Sequence, residues 1–389
     1  METEQKKEMM TKDKEATKKR QKQKAFDPYA PHKIKWWGWP LLILLIVGTV
    51  YIVRTQDSKS EQPQGAGKPW ATEETQRTQG SVFGTFYHIT YQSEHELKSS
   101  IEATLQAVDH SLSPFNPNSV ITAINTNTCM EADSMLIEVF NLAKTVSGET
   151  NRAFDITVAP LVNLWGFGFK TGTDVSEDRV DSLLVYVNID NVQLQNGVVQ
   201  KKYPETMLDC SAIAKGYGVD AVGLYLEHQG IKNYMVEIGG EVRVRGTNPQ
   251  GDLWHIGIDK PTDDPTNTNN EVEQVLQVTQ LAMATSGNYR NFYEKDGKKY
   301  AHTIDPRTGY PVQHSILSST VLAQDCATAD AYATAFMVMG MEDAQKVLAK
   351  HPELMAFFIY SDKAGHLQTW MTKGIEKMVI KNTNVQTTK

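Results

Sequence analysis

Tyr234-Met-Val-Glu-Ile-Gly-Gly-Glu-Val-Arg-Val-Arg245 is the stretch on which the architecture turns. It reads as two short strands, Tyr234–Ile238 and Glu241–Arg245, on either side of a Gly239-Gly240 turn. Two later runs, Trp254–Ile258 and Val275–Thr279, have the same strand character. Strands that follow one another across short turns pair antiparallel, because a parallel partner needs a crossover of roughly a dozen residues or more. Upstream, Val82–Tyr91 reads as a strand and Asn196-Gly197 as the centre of a hairpin. Helical spacing appears at Ile101, Leu105, Val108 and Leu112, again at Met135, Val139, Leu142 and Val146, and around Val180–Leu184. Ile213–His228 is a further helix, stopped by Gly230. The expected fold class is α+β, with a mainly antiparallel sheet and packed helices rather than a doubly wound parallel sheet.

The chain has 389 residues, 40% of them hydrophobic, and a net charge of −7, enough apolar material to bury a sizeable core. Its charge is unevenly placed. Residues 1–35 hold eleven Lys and Arg, so the remainder is more acidic than the total suggests. That balance argues against a nucleic-acid-binding body, which needs a basic face. The uncharged run Trp36-Trp-Gly-Trp-Pro-Leu-Leu-Ile-Leu-Leu-Ile-Val-Gly-Thr-Val-Tyr-Ile-Val53 is just long enough to span a bilayer as a helix. Basic residues concentrate before it, which predicts a cytoplasmic N-terminus, a single-pass membrane anchor and a body on the far side. A cleaved signal peptide is the alternative, but no small-residue cleavage site follows Val53. Residues 54–79, polar and without an apolar period, read as a flexible linker. The structured body is expected over 80–382, with a polar tail at 383–389. Cys129, Cys210 and Cys326 are too few to argue a disulfide framework.

Five segments carry chemistry. In Ala327-Thr-Ala-Asp-Ala-Tyr-Ala-Thr-Ala-Phe336, Asp330 and Thr334 stand four apart on one face of a small-residue helix, an oxygen pair suited to Mg²⁺; the same spacing is common in surface pairs. Leu208-Asp-Cys-Ser-Ala-Ile-Ala-Lys-Gly-Tyr-Gly218 leads into a helix whose N-terminus, with Lys215, would attract phosphate. Asp209 or Ser211 could equally be a plain N-cap. Glu237-Ile-Gly-Gly-Glu241 permits close backbone approach to a ligand, or is a structural hairpin. Thr285-Ser-Gly-Asn-Tyr289 reads as a turn presenting hydroxyls and amides. His302-Thr-Ile-Asp-Pro-Arg-Thr-Gly-Tyr-Pro311 puts an imidazole and a carboxylate in a loop denser than a connector requires.

Taken together and in order, these segments resemble the FAD:protein FMN transferases, the ApbE family, over about residues 80–380. Further marks are Gly84-Thr85, Leu112-Ser-Pro-Phe-Asn-Pro-Asn-Ser119 with Asn125, and Ala153-Phe-Asp-Ile-Thr-Val-Ala-Pro-Leu161. The resemblance implies an ApbE-like domain that binds FAD as substrate with Mg²⁺, cleaves its pyrophosphate and transfers FMN through a phosphoester bond to a Thr or Ser of an acceptor protein, releasing AMP. It implies a metal set of the Ala212 carbonyl, Asp330 and Thr334. FAD contacts would come from Ala153, Phe154, Asp155, Asp209, Lys215 and Ile304, with Phe83 and Phe115 beside the flavin or adenine. His302 is the candidate base for the acceptor hydroxyl, with Asp305 as orienter or substitute, and Asp330 could itself take the proton. The implied acceptor is a membrane electron-transfer subunit. Three positions depart from the family pattern: Phe83 where Met is common, Pro114 in a Ser-Thr-aromatic run, and Asn288 where Asp is frequent. An FAD pyrophosphatase, with water as nucleophile, and a flavin carrier without turnover are the competing readings.

Overall fold

Eight strands form one antiparallel sheet in the order β1-β2-β5-β6-β9-β12-β13-β14 in the computed structural model, which describes residues 67–169, 175–261, 272–287, 292–295 and 298–380. In chain order the strands are β1 Thr75–Val82, β2 Thr85–Gln92, β3 Val192–Gln195, β4 Val198–Lys201, β5 Tyr234–Ile238, β6 Glu241–Arg245, β7 Trp254–Asp259, β8 Val272–Val278, β9 Leu281–Gly287, β10 Phe292–Lys295, β11 Lys298–Ala301, β12 Ile316–Ala323, β13 Met355–Ser361 and β14 Leu367–Met371. The helices are α1 Lys98–Leu112, α2 Val120–Asn125, α3 Ser134–Glu149, α4 Ala159–Leu164, α5 Glu177–Leu184, α6 Ala214–His228, α7 Cys326–Met339, α8 Met341–Leu348 and α9 Lys373–Glu376. The α+β, mainly antiparallel reading therefore holds. The stretch quoted first is the hairpin β5–β6, with Ile238 opposite Glu241 and positive φ at both intervening glycines.

The alternation of β5 and β6 divides the two faces. Tyr234, Val236 and Ile238 pack with Ile101 and Leu105 of α1 and Val219, Val222 and Leu226 of α6. Val242 and Val244 face the other way, against Trp254, Ile256 and Leu276 of the separate β7–β8 ribbon. Each fully buried Leu, Ile or Phe of these layers contributes about 1.5–3 kcal/mol of hydrophobic stabilisation before the entropy of ordering is counted. Helix α7 is different in kind. Ala327, Ala329, Ala331, Ala333 and Ala335 are all buried, because small side chains let neighbouring backbones approach from several directions. Its N-terminus is capped by Asp325, whose carboxylate accepts from the Thr328 N–H at 2.8 Å.

Three local expectations change. Val82–Tyr91 is not one strand: the chain reverses at Phe83-Gly84, with φ of +51° and +74°, between paired Val82 and Thr85. That is the two-residue hairpin geometry in which both central residues are left-handed, and an aromatic in it disguises the turn as a continuing strand. The body also starts earlier than Gly80. Trp70 is buried edge-on to Trp254 at 6.0 Å and β1 begins at Thr75, inside the stretch read as linker. An edge strand with mostly polar side chains has no apolar period to announce it. Thr285–Gly287 lie in β9, paired with β12, rather than in a turn. The expected membrane helix 36–53, most of the linker and the tail 383–389 lie outside the described residues. Among the described residues no helix is long and apolar enough to cross a membrane.

Candidate active site

The N-terminal ends of α6 and α7 meet at the heart of the site, and a glycine sets how closely. A Cβ on Gly216 would lie 2.3 Å from the Cys326 carbonyl oxygen, so only glycine fits against the first turn of α7. The Gly216 N–H donates to Asp330 Oδ2 at 3.0 Å, tying the two helices where their functional residues sit. Asp220, one turn along α6, accepts from the Cys326 N–H at 2.9 Å and the Ala327 N–H at 2.8 Å, and from Arg243 of β6 at 2.7 Å. Burial raises the Asp220 pKa to about 6 against the pull of those donors. Helix α6 itself has no side-chain cap: Ile213 precedes it, and Asp209 Oδ1 instead accepts from the Ser211 N–H at 2.8 Å. The reading of Asp209 or Ser211 as N-cap of this helix is thereby corrected.

A cavity of 1220 Å³ opens around this junction, larger than the roughly 300–1,000 Å³ of pockets for drug-sized ligands and roomy enough for a dinucleotide. Phe83, Phe115, Ala153, Phe154, Asp155, Asp209, Ala212, Lys215, His302, Ile304, Asp330 and Thr334 all line it. Segments more than 200 residues apart in sequence thus share one wall, although the roles of their side chains differ. Asp155 faces inward on the protein: Oδ1 accepts from the Thr157 N–H at 2.9 Å and its hydroxyl at 2.6 Å, and Oδ2 from the Ile189 N–H at 3.0 Å. Its carboxylate shapes the 153–156 loop. The Asp209 N–H donates to the Ile156 carbonyl at 2.7 Å, which joins that loop to the approach to α6. Asp209 is itself buried, and burial raises its pKa despite the Ser211 hydrogen bonds. Phe115 stands at the rim, 64% exposed and edge-on to Phe169 at 6.1 Å. Arg307 holds Asp305 through Oδ1 at 2.9 Å and Oδ2 at 2.8 Å. His302 lies edge-on to Phe167 at 6.4 Å.

Oxygen donors dominate the inner end. Thr334 Oγ1 lies 3.0 Å from Ser286 Oγ, which brings β9 to the exposed side of α7. Lys215 donates to Glu241 Oε1. Burial works to lower the lysine pKa, but the Glu241 and Asp330 carboxylates outweigh it and keep Lys215 cationic. Glu241 is 2% exposed, and burial pushes its pKa up against the pull of Lys215, with Asp330 pushing the same way. Among the described residues no cluster of three or more His, Cys, Asp or Glu side chains could hold a metal unaided. A hard cation here would draw on carbonyl, hydroxyl and ligand oxygens as well as Asp330, the mixed shell that Mg²⁺ accepts.

Sequence reasoning missed Glu241 as a site residue, quoting it only as the end of a turn. The signal available was an acidic residue opening a buried strand directly after Gly-Gly. It also missed what Asn125 does. Asn125 is buried and pairs twice with Leu208, Nδ2 donating to the carbonyl at 2.8 Å and Oδ1 accepting from the N–H at 2.7 Å, which fixes the residue before Asp209. The outer face of β7, with His255, Gly257 and Asp259, forms another part of the wall.

The ApbE family profile matches residues 83–358. Over 279 residues the chain is 38% identical to an FAD:protein FMN transferase of Vibrio cholerae, covering 69% of this chain and 82% of that protein. It is 32% identical over 338 residues to the FAD:protein FMN transferase of Escherichia coli K12, covering 83% and 94% respectively. The solved structure of the flavin transferase ApbE from Vibrio cholerae superposes with a TM-score of 0.71 at 33% identity, covering 78% of this chain and 99% of that one.

Proposed function

This chain belongs to the ApbE family of FAD:protein FMN transferases, and from that premise we propose that it uses Mg²⁺ to cleave the pyrophosphate of FAD and esterify FMN to a Thr or Ser of an acceptor protein, releasing AMP. The observation that carries this is the convergence on one dinucleotide-sized cavity of Lys215, His302 and the Asp330–Thr334 pair from three separate segments. Lys215 and the positive end of α6 would hold the pyrophosphate. Asp330, Thr334 and the Ala212 carbonyl would hold Mg²⁺, which would supply positive charge against that growing on the departing AMP. The acceptor hydroxyl attacks the FMN phosphorus as the bond to the AMP oxygen breaks, and His302 takes the hydroxyl proton. Ala153, Phe154, Ile304, Phe83 and Phe115 supply the apolar and aromatic wall for the ring systems.

The acceptor we favour is a membrane electron-transfer subunit. The uncharged run 36–53 with its preceding basic tail supports a membrane anchor that places the body on the extracytoplasmic side. Intact-mass spectrometry of a Thr-bearing acceptor domain, after incubation with the protein, FAD and Mg²⁺, tests the reaction. A gain of one FMN that EDTA prevents is the expected outcome. FMN and AMP appearing free, with the acceptor unchanged, would instead make the protein an FAD pyrophosphatase, and intact FAD with no product would make it a carrier.

A further inference from the structure

Among the described residues, five buried side-chain polar atoms have no hydrogen-bond partner, and four of them are hydroxyls on Thr78, Ser147, Ser318 and Ser319. The fifth is Glu241 Oε2. A buried carboxylate oxygen without a donor is far more costly than a hydroxyl, which can turn, and a specific orphan of this kind calls for an ion or a water. Protonation does not resolve it, since an O–H at Oε2 would be a donor lacking an acceptor. The other oxygen is already taken by Lys215. Glu241 lines the cavity together with Asp330, Thr334 and Ala212. The backbone holds it there tightly: Gly239 and Gly240 turn with φ of +62° and +103°, and a Cβ on Gly239 would come within 2.7 Å of Thr85. Two carboxylates therefore face one ammonium at the inner end of the cavity, leaving negative charge that Lys215 alone does not neutralise.

We propose that Glu241 is a further member of the cation site, with Oε2 accepting a hydrogen bond from a water of the hydrated ion held at Asp330. Mg²⁺ keeps several of its waters, and an outer carboxylate lining the same end of the cavity as the ligands is the group that would orient them. Glu241 thus has two tasks on two oxygens. It fixes the Lys215 ammonium for the pyrophosphate and orders the shell of the cation that the same pyrophosphate shares. The inference rests on the Mg²⁺ reading of Asp330, Thr334 and Ala212, and the test separates the two.

The test is Mn²⁺ binding by the full chain without FAD, read as loss of the free-ion EPR signal, since Mn²⁺ accepts the same octahedral oxygen shell. Wild type, Glu241→Gln, Lys215→Met, the Glu241→Gln/Lys215→Met pair and Asp330→Asn are compared, each with its melting temperature recorded. Gln keeps the volume and can still accept from Lys215, which guards the fold. The expected result is one Mn²⁺ per wild-type chain, a roughly 10–100-fold weaker Kd in Glu241→Gln, the range for an outer partner of a metal ligand, and the same loss when Lys215 is Met. An unchanged Kd in Glu241→Gln, or a loss that vanishes in the Lys215→Met background, would overturn the assignment while leaving the cation reading intact. Absence of Mn²⁺ binding to wild type, or full binding by Asp330→Asn, would overturn the cation reading and this inference with it.

Discussion

Replacing Gly216 with Ala tests the closeness of α6 and α7 by the sign of its effect. In an open helical position this change stabilises, because Ala is better than Gly by about 1 kcal/mol in helix propensity. Here the new methyl would lie 2.3 Å from the Cys326 oxygen, 2.7 Å from its carbonyl carbon and 2.9 Å from Ala327 Cα. All three are backbone atoms, so no rotamer change relieves the overlap, and the helices must part by about 1 Å to reach ordinary contact. Overpacking of this kind costs about 1–3 kcal/mol, and a backbone-on-backbone clash belongs at the upper end, so the net change is a loss of about 2 kcal/mol. The parting also stretches the 3.0 Å bond from the Gly216 N–H to Asp330. A displacement of that size among reacting groups costs on the order of 10²-fold in rate. Urea unfolding of purified protein gives the stability, and FMN transfer to an acceptor domain gives the rate. Stability equal to or above wild type with an undiminished rate would refute the close-approach argument.

Asn125→Ala leaves the Leu208 N–H and carbonyl unpaired in a buried setting, so a loss of about 2–4 kcal/mol is expected in the same unfolding assay, and a loss under 1 kcal/mol would deny Asn125 its clamping task. His302→Gln should slow transfer by about 10²–10⁴-fold while FAD affinity, followed by flavin fluorescence, stays close to wild type; full activity would remove His302 from the mechanism. Asp220 faces Arg243 and the Cys326 and Ala327 N–H groups, and burial holds its pKa at about 6, above the ordinary 3.8. The folded state therefore binds a proton that the unfolded state releases between those values, and this contribution is lost as pH rises through about 6. Unfolding measured at pH of about 4.5 and about 6.5 should show wild type losing more stability over that interval than Asp220→Asn, and a parallel or opposite trend would contradict the shift.

How much of this was legible depended on whether a residue's role was set by its neighbours in sequence. Helices α1 and α3 announce themselves because an apolar stripe is a local property of one helix; in α1 the marked Ile101, Leu105, Val108 and Leu112 are all buried, whereas in α3 the buried face is turned to Leu136, Phe140 and Ala143 beside the marked Val139 and Val146. The β5–β6 hairpin is equally local. Phe83 was placed in a continuing strand because its left-handed backbone is dictated by the pairing of Val82 with Thr85, and its ring fills the space that Gly218 leaves, with a Cβ there only 2.6 Å from it. Thr285–Gly287 carry small polar side chains that suggest a turn, yet β12 on one side and the cavity on the other make them strand. Glu241 could be named but not given a task, since its meaning lies in Lys215, 26 residues away, and in an oxygen that nothing in the protein satisfies.

The polarity of the cavity follows from which segment ends meet there. The start of α6, which has no N-cap side chain of its own, and the cationic Lys215 make one part of the wall attractive to phosphate. Directly beside it, Asp330, Glu241 and the buried Asp209 supply the opposite charge, attractive to a cation and hostile to a bare anion. Neither FAD alone nor Mg²⁺ alone satisfies both, because each leaves one set of charges facing its own sign or facing nothing. A magnesium pyrophosphate presents both signs within a few ångströms, so the two should bind with positive coupling, each tightening the other by the same factor. The α6–α7 contact enforces that arrangement: Gly216 and Asp220 belong to the helix that carries Lys215, and their partners Asp330, Cys326 and Ala327 belong to the helix that carries Asp330 and Thr334. Close helix packing thereby fixes the distance between the two charge centres, and a change that loosens it should uncouple FAD from the metal before it unfolds the protein.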